Sequence, residues 1–337
     1  MTLPVVYCLP VPQIIVENLV KTYQVAERPI GVLGGLKALA WPRYKTVTAL
    51  EGVSFSLESG ELVGYIGPNG AGKSTTVKAL TGILVPDSGR VEVMGRIPWK
   101  ERVAHVARIG VVFGQRSQLW WDLPTIESFD LLKEIYKTPT PKYVQTRDEL
   151  VDRLSLSELL NVPVRQLSLG QRMRCELAAS LLHSPDILFL DEPTIGLDAV
   201  SKLAVRDFMR VLNRERGVTV ILTTHDMDDI EALCSRVILI AGGKILSDGS
   251  LSSLRAQVTQ ERWLIVDLEE QSAPPCGQDF EIVSQQGDRF TLRYQPAQTD
   301  TAGLIGRIAA QCSVRDLRVE EPPIEEIIAR LYGGAGK

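Results

Sequence analysis

The sequence predicts an α/β domain built on a mostly parallel sheet, followed from about residue 251 by a small α+β domain. Three observations carry this expectation. Ile187-Leu188-Phe189-Leu190 and Val218-Thr219-Val220-Ile221-Leu222 are short apolar runs of the kind buried on both faces of a parallel sheet. Stretches of helical composition, residues 171–183 and 201–214, alternate with such strands. After Gly249 the pattern changes to half-exposed strands at 263–268 and 289–294, with helix faces at Leu304, Ile305 and Ile308 and at Ile324, Ile327, Ile328 and Leu331.

Taken in order, residues 14–23 and 47–57 are rich in Val, Ile, Thr and Phe and read as two strands. Between them a Gly-rich segment, about residues 29–44, carries Gly31, Gly34, Gly35 and Trp41 and is long for a hairpin loop. Residues 61–66 form a short apolar run that meets Gly67-Pro68-Asn69-Gly70 at once, a buried strand ending in a turn. Residues 73–80 then have helical composition. Residues 120–165 look mainly helical, broken at Pro124, Pro139, Pro141 and Pro163, and read as an inserted helical lobe. No internal repeat or heptad array is evident.

Composition narrows the function. The 337 residues suggest two domains, and 45% hydrophobic with 23% charged residues excludes a disordered or collagen-like chain. Residues 251–337 hold 9 basic and 13 acidic residues and so carry the whole net charge of −4, while residues 1–250 balance at 28 of each sign. With no basic block, binding of nucleic acid through bulk charge is not expected. Five cysteines, an odd number at wide spacings and without C-x-x-C, fit free thiols in a reducing cytoplasm rather than disulfides or a structural metal. No run reaches the 18 or so apolar residues of a membrane span. Residues 1–16 are apolar but lack a basic leader and are broken by Pro4, Pro10 and Pro12, so an irregular arm is expected there rather than a signal peptide. Any membrane role would come through a partner.

Gly67-Pro68-Asn69-Gly70-Ala71-Gly72-Lys73-Ser74 fits G-x-x-x-x-G-K-[ST] residue for residue. Glycines let the backbone wrap closely, so several N–H groups can point at phosphate oxygens. The following helix presents its positive end to the same anion. Lys73 adds a full charge near the β and γ phosphates, and the Ser74 hydroxyl suits Mg²⁺. The pattern alone says that a nucleoside triphosphate binds, which leaves kinases, GTPases and ATPases open. The apolar run 187–190 then ends in Asp191-Glu192. A carboxylate at the carboxyl end of a buried strand reaches the crevice where open α/β sheets bind ligands. Asp191 suits Mg²⁺ through water. Glu192 points differently and could take a proton from an attacking water.

Three further features fall into line. Leu167-Ser168-Leu169-Gly170-Gln171 precedes a helix and places Ser168 24 residues before Glu192; Gln115 follows the apolar run 109–113; His225 follows the strand 218–222, 33 residues after Glu192. From about residue 14 to 250 this set resembles the nucleotide-binding subunit of ABC transporters. The resemblance implies a P-loop NTPase core of ABC type, with an antiparallel β subdomain and a helical subdomain at about 116–175, plus the small C-terminal α+β domain, 251–337. It makes residues 67–75, closing on Thr75, the Walker A loop, 167–171 the signature, and Asp191-Glu192 the end of the Walker B strand. It makes Gln115 the Q-loop glutamine and a further Mg²⁺ contact, Asp198 the D-loop aspartate, and His225 the switch histidine. Tyr23 sits where the family stacks an aromatic on adenine, though ordinary strand packing also fits it. One departure is visible: Leu169 stands where the family usually has the first glycine of Leu-Ser-Gly-Gly-Gln. His105 and His183 lack such context and read as structural.

The resemblance also implies partners and a place. Two ATP-binding subunits, identical or paralogous, would clamp two ATP molecules between Walker A of one and the signature of the other, making ATP a closing ligand. A separate transmembrane permease would dock near Gln115 and the helical lobe, with Trp120 to Pro124 as the candidate contact; Trp120 and Trp121 fit core positions equally. Residues 30–41 could lie against the permease or the membrane surface, or form a plain long loop. The chain would be cytoplasmic, peripheral on the inner face of the cell membrane. The 87 residues after 250 look like the short tails of export-type subunits. A non-transport ABC ATPase, acting as a switch on another macromolecule, is the alternative; it commonly has two ATPase halves or coiled coils, neither of which this sequence contains.

Overall fold

A computed structural model of the chain describes residues 12–26, 44–114, 116–258, 260–269 and 272–334. Gln115, residues 30–41 and the arm before residue 12 lie outside the described residues. The chain divides into two compact units, Met1–Gly249 and Ser250–Lys337.

In chain order, the first unit contains β1 (Ile14–Ala26), β2 (Tyr44–Leu57), β3 (Leu62–Ile66), α1 (Lys73–Leu80), β4 (Ser88–Val93), α2 (Arg102–Val106) and β5 (Ile109–Phe113). There follow α3 (Thr125–Tyr136), α4 (Thr140–Arg153), α5 (Leu169–Leu181), β6 (Ile187–Asp191), α6 (Ala199–Arg216), β7 (Thr219–Thr223), α7 (Met227–Leu233), β8 (Arg236–Ala241) and β9 (Lys244–Ser250). A six-stranded sheet runs β5-β6-β7-β3-β8-β9, and its first five strands pair in parallel. Every residue of β3 and β7 is buried, as expected of an apolar strand and of an apolar centre flanked by β-branched threonines in a parallel sheet. A second, antiparallel sheet orders β2-β1-β4. It shares a core with the first, in which Leu50, Phe55 and Val91 pack with Tyr65, Val77 and Phe189. The antiparallel subdomain implied by the family resemblance is therefore present, and the helical lobe is α3, α4 and two short 3₁₀ turns leading into α5.

Some boundaries differ from the sequence reading, for local reasons. The helix expected at 171–183 begins at Leu169, because Ser168 caps it: the Gln171 N–H donates to Ser168 Oγ at 3.2 Å and the Ser168 N–H to Gln171 Oε1 at 2.8 Å. Such a capping box is worth about 1 kcal/mol. The helix expected at 201–214 spans Ala199–Arg216, capped by Asp198 at one end and by Gly217 in the left-handed region (φ 63°) at the other. β4, β8 and β9 were not separable from composition: β4 is half polar, and β8 reads like any buried run.

The second unit contains α8 (Leu251–Val258), β10 (Arg262–Leu268), β11 (Glu281–Gln286), β12 (Arg289–Tyr294), α9 (Thr301–Gln311), β13 (Val314–Glu320) and α10 (Ile324–Gly334). Its antiparallel sheet runs β11-β12-β10-β13. Leu264, Val266, Phe290 and Leu292 pack against Leu304 and Ile308 of α9, as the period-2 and period-3.6 patterns require. β11 and β13 escape sequence reading because both are edge strands with mainly exposed side chains.

Candidate functional site

The parallel pairing fixes where the site lies. Phe113, Asp191 and Thr223 are partners across β5, β6 and β7, so three strands end at one level and their following loops share one rim. A cleft of about 820 Å³ opens there, lined by Gly67, Pro68, Asn69 and Ser74 from the loop after β3, and by Asp191, Glu192 and His225 from the neighbouring strand ends. That volume is within the range of small-molecule sites.

The loop after β3 is shaped by its sequence. Gly72 has φ 111°, and a Cβ there would meet the Ala49 carbonyl oxygen at 2.6 Å. Only glycine satisfies both constraints. Gly70 is left-handed as well, at φ 80°. Ala71 is buried and anchors the loop, while Asn69, Gly70 and Ser74 are exposed and Thr75 is half-buried. Lys73 opens α1 beneath the loop and donates to the carbonyls of Gly67 at 2.6 Å and Pro68 at 3.2 Å. Burial pulls its pKa below the usual lysine value, while the nearby Glu192 and Asp191 carboxylates act in the opposite sense.

Ser74 donates to Asp191, with its Oγ 3.1 Å from Oδ2, and Thr223 donates its hydroxyl to Oδ1 of the same carboxylate. A hydroxyl beside a carboxylate, with room for water, is the hard oxygen donor set that suits Mg²⁺. Among the described residues no group of three or more His, Cys, Asp or Glu could hold a metal by itself. Glu192 sits at φ 55°, a left-handed conformation costing about 1–2 kcal/mol in a non-glycine residue. Its N–H is held by the Thr223 carbonyl at 2.8 Å. The turn carries its carboxylate away from Asp191 and toward His225, whose Nδ1 lies 3.3 Å from Oε1. Gly114 lets the neighbouring strand end pack against this turn: its N–H donates to the Asp191 carbonyl at 2.8 Å, and a Cβ there would lie 2.4 Å from the Glu192 carbonyl oxygen.

Ser168, Gly170 and Gln171 stand together at the start of α5, with Ser168 exposed, but none of them lines the cleft. Gly170 instead faces Ser201 and Asp198. A Cβ on Gly170 would lie 2.4 Å from Ser201 Oγ, and Ser201 donates its N–H and hydroxyl to Asp198 at 2.9 and 2.7 Å. These bonds hold the Asp198 carboxyl below the usual range. The Leu169 side chain turns toward Gly196, where a Cβ would be 2.8 Å from Leu169 Cδ2. The departure from the family pattern is thus absorbed against the turn at Gly196 and leaves the Ser168 cap intact. Tyr23 lies on β1, 38% exposed and apart from the cleft lining. Lys78, Arg116 and Ile195 also line the cleft, and Thr223, which the sequence marks only as context for His225, bonds Asp191.

Comparison with known proteins agrees with this geometry. The ABC transporter family model matches residues 50–195. A daunorubicin resistance ATP-binding protein of Streptomyces coeruleorubidus is 32% identical over 300 residues, 86% of this chain and 93% of that one. A linearmycin resistance ATP-binding protein of Bacillus subtilis is 34% identical over 211 residues, 63% of this chain and 67% of that one. Among solved structures, a dimeric post-hydrolysis state of an ATP-binding cassette bound to ADP and Pi superposes with a TM-score of 0.59 at 26% identity, covering 71% of this chain and 98% of that one. With a phosphate loop, an acidic strand end and a facing histidine on one rim, and a relative matched over nearly its whole length, the chain belongs to the ABC transporter family as an ATP-binding, ATP-hydrolysing subunit.

Proposed function

We propose that this chain is one half of a two-ATP clamp that powers export through a separate membrane permease. In this reading the backbone of residues 67–75 wraps the triphosphate, and Lys73 neutralises its β and γ oxygens. Ser74 and Asp191 hold Mg²⁺, with Gln115 as a further contact; the bound ion offsets phosphate charge. Glu192 takes the proton of the attacking water, and His225 steadies the γ-phosphate beside it. Tyr23 stacks on adenine. Ser168, Gly170 and Gln171 of one copy complete the ATP site of the other, with Asp198 beside the same seam.

The observation that carries this reading is the shared level of β5, β6 and β7. It brings Asp191, Glu192 and the His225 arm to the mouth of the phosphate loop, while the Ser168 end of α5 stays off that cleft. An ATP in the cleft therefore needs a second copy to meet a signature. Among the described residues no helix is long and apolar enough to cross a membrane, and in this reading translocation runs through a separate permease. Trp120 and Trp121, 39% and 51% exposed beside the helical lobe, supply an aromatic surface for it. The two relatives are named for resistance, which supports export. Ser250–Lys337 would serve as an accessory, regulatory domain on the cytoplasmic side of the membrane. Copurification with the membrane proteins encoded beside it, followed by ATPase assays over a panel of candidate compounds, tests the proposal. Stimulation by one compound class is expected; a chain that binds no membrane protein and responds to nothing refutes it.

A further inference from the structure

Behind the cleft, one carboxylate that solvent does not reach gathers three segments of the chain. Asp229, in α7, is 0% exposed. Its Oδ2 accepts the Thr194 hydroxyl and lies 3.4 Å from the Thr224 hydroxyl, and its Oδ1 accepts Arg206 Nε at 2.5 Å. Thr194 follows Glu192 by two residues, and Thr224 immediately precedes His225. The third donor comes from α6, the helix that Asp198 caps. One turn before Arg206, Lys202 pairs with Asp226, the residue after His225; Arg206 also lies 3.5 Å from that carboxylate, and the Asp226 N–H donates to Thr224 Oγ1 at 3.0 Å.

A buried ion persists only when it is paired and its oxygens are hydrogen-bonded, and for stability alone an apolar replacement would often serve as well. Here the donors come from the two arms that present Glu192 and His225 and from the helix behind both. We infer that Asp229 is a positioning residue for ATP hydrolysis: it locks the Glu192 arm to the His225 arm and so sets the 3.3 Å approach of their side chains. Thr194 and Thr224 are its handles, and Arg206 ties the assembly to α6. The inference deepens the proposed function and rests on its assignment of His225.

A double-mutant cycle on the full chain tests it. Thr194→Val and Asp229→Asn are measured for nucleotide affinity and for turnover, each alone and combined with His225→Ala. A misplacement of about 1 Å at a reacting centre costs up to about 100-fold, so each single variant should lose about 10- to 100-fold in kcat with unchanged nucleotide affinity. In the His225→Ala background neither should lose more. Thr194→Ser should restore turnover. Thr194→Val leaves Asp229 paired with Arg206, so it carries the test even where Asp229→Asn fails to fold. Losses that multiply with that of His225→Ala, or a Thr194→Val with normal kcat, overturn the inference and leave the clamp standing. A His225→Ala variant that turns over normally overturns both.

Discussion

Replacing Glu192 by Gln separates chemistry from binding at this site. The substitution keeps length and shape and removes one charge. The left-handed backbone at φ 55° is as costly for Gln as for Glu, and the N–H bond to the Thr223 carbonyl at 2.8 Å is main-chain, so the turn survives. In the proposed mechanism, what is lost is the acceptor for the proton of the attacking water. A positioned base contributes about 10²–10⁴ in rate, or about 3–5.5 kcal/mol at 1.36 kcal/mol per tenfold. ATP binding should persist, because the phosphate loop, Lys73, Ser74 and Asp191 are untouched. With hydrolysis blocked, the ATP-bound pair should accumulate. Phosphate release measures the first effect, and gel filtration with light scattering, with and without ATP, measures the second. A variant that hydrolyses ATP at the parent rate and stays monomeric would falsify the role of Glu192 and the clamp built on it.

Other consequences can be checked on the same protein. Lys73→Ala removes a charged donor from the phosphate site, a loss of about 1.5–3 kcal/mol that titration calorimetry should show as roughly 10- to 150-fold weaker ATP binding. Gly114→Ala puts a Cβ 2.4 Å from the Glu192 carbonyl oxygen, with main chain on both sides, so stability should fall by about 1–3 kcal/mol in thermal unfolding and turnover should fall with it. His183 is buried under Tyr136, ring centroids 3.9 Å apart, with Nε2 bonded to the Ile109 carbonyl at 2.9 Å. Burial pushes its pKa down to about 4 from 6.5, so the unfolded chain takes up a proton first as pH falls. Its contribution, about 3 kcal/mol, is complete above pH 6.5 and fades between pH 6.5 and 4; urea unfolding of His183→Gln should show a flatter acid limb, and an unchanged limb would contradict the burial argument.

Much of the site was legible because its chemistry is local in sequence. The phosphate loop needs contiguous residues, since one turn and one helix start make the whole anion cradle. Asp191-Glu192 and His225 were legible as polar residues at the ends of apolar runs, where a parallel sheet delivers them to one rim. The Asp229 cluster was not legible. Thr194, Arg206, Thr224 and Asp229 are ordinary residues at ordinary spacings, and only packing of α6 against α7 and of α7 against the two arms brings them together. Edge strands β11 and β13 were missed for a related reason: with mainly exposed side chains they carry no burial pattern to read.

The turn leading into α6 accommodates Leu169, and α6 itself joins the surroundings of Gly170 to those of Glu192 and His225. Asp198, Ser201 and Lys202, and Arg206 follow one another at three- to four-residue spacing, so one stripe of the helix serves three neighbours. At the N-terminus Asp198 and Ser201 abut Gly170 of α5. One turn on, Lys202 holds Asp226 beside His225, and a further turn on Arg206 holds Asp229 and, through it, Thr194 of the Glu192 arm. A chain of direct contacts therefore links the Ser168 end of α5 to the arms that carry Glu192 and His225. In the proposed clamp Ser168 serves the partner's ATP, and α6 is the element that touches both the Ser168 end of α5 and the arms carrying Glu192 and His225. Leu169 adds side-chain contact where the family's glycine would leave a gap, against Gly196 at the entrance to the same helix. A leucine at that position has room for its side chain, whereas at Gly170 a Cβ would strike Ser201 Oγ at 2.4 Å, so any side chain there would displace Ser201.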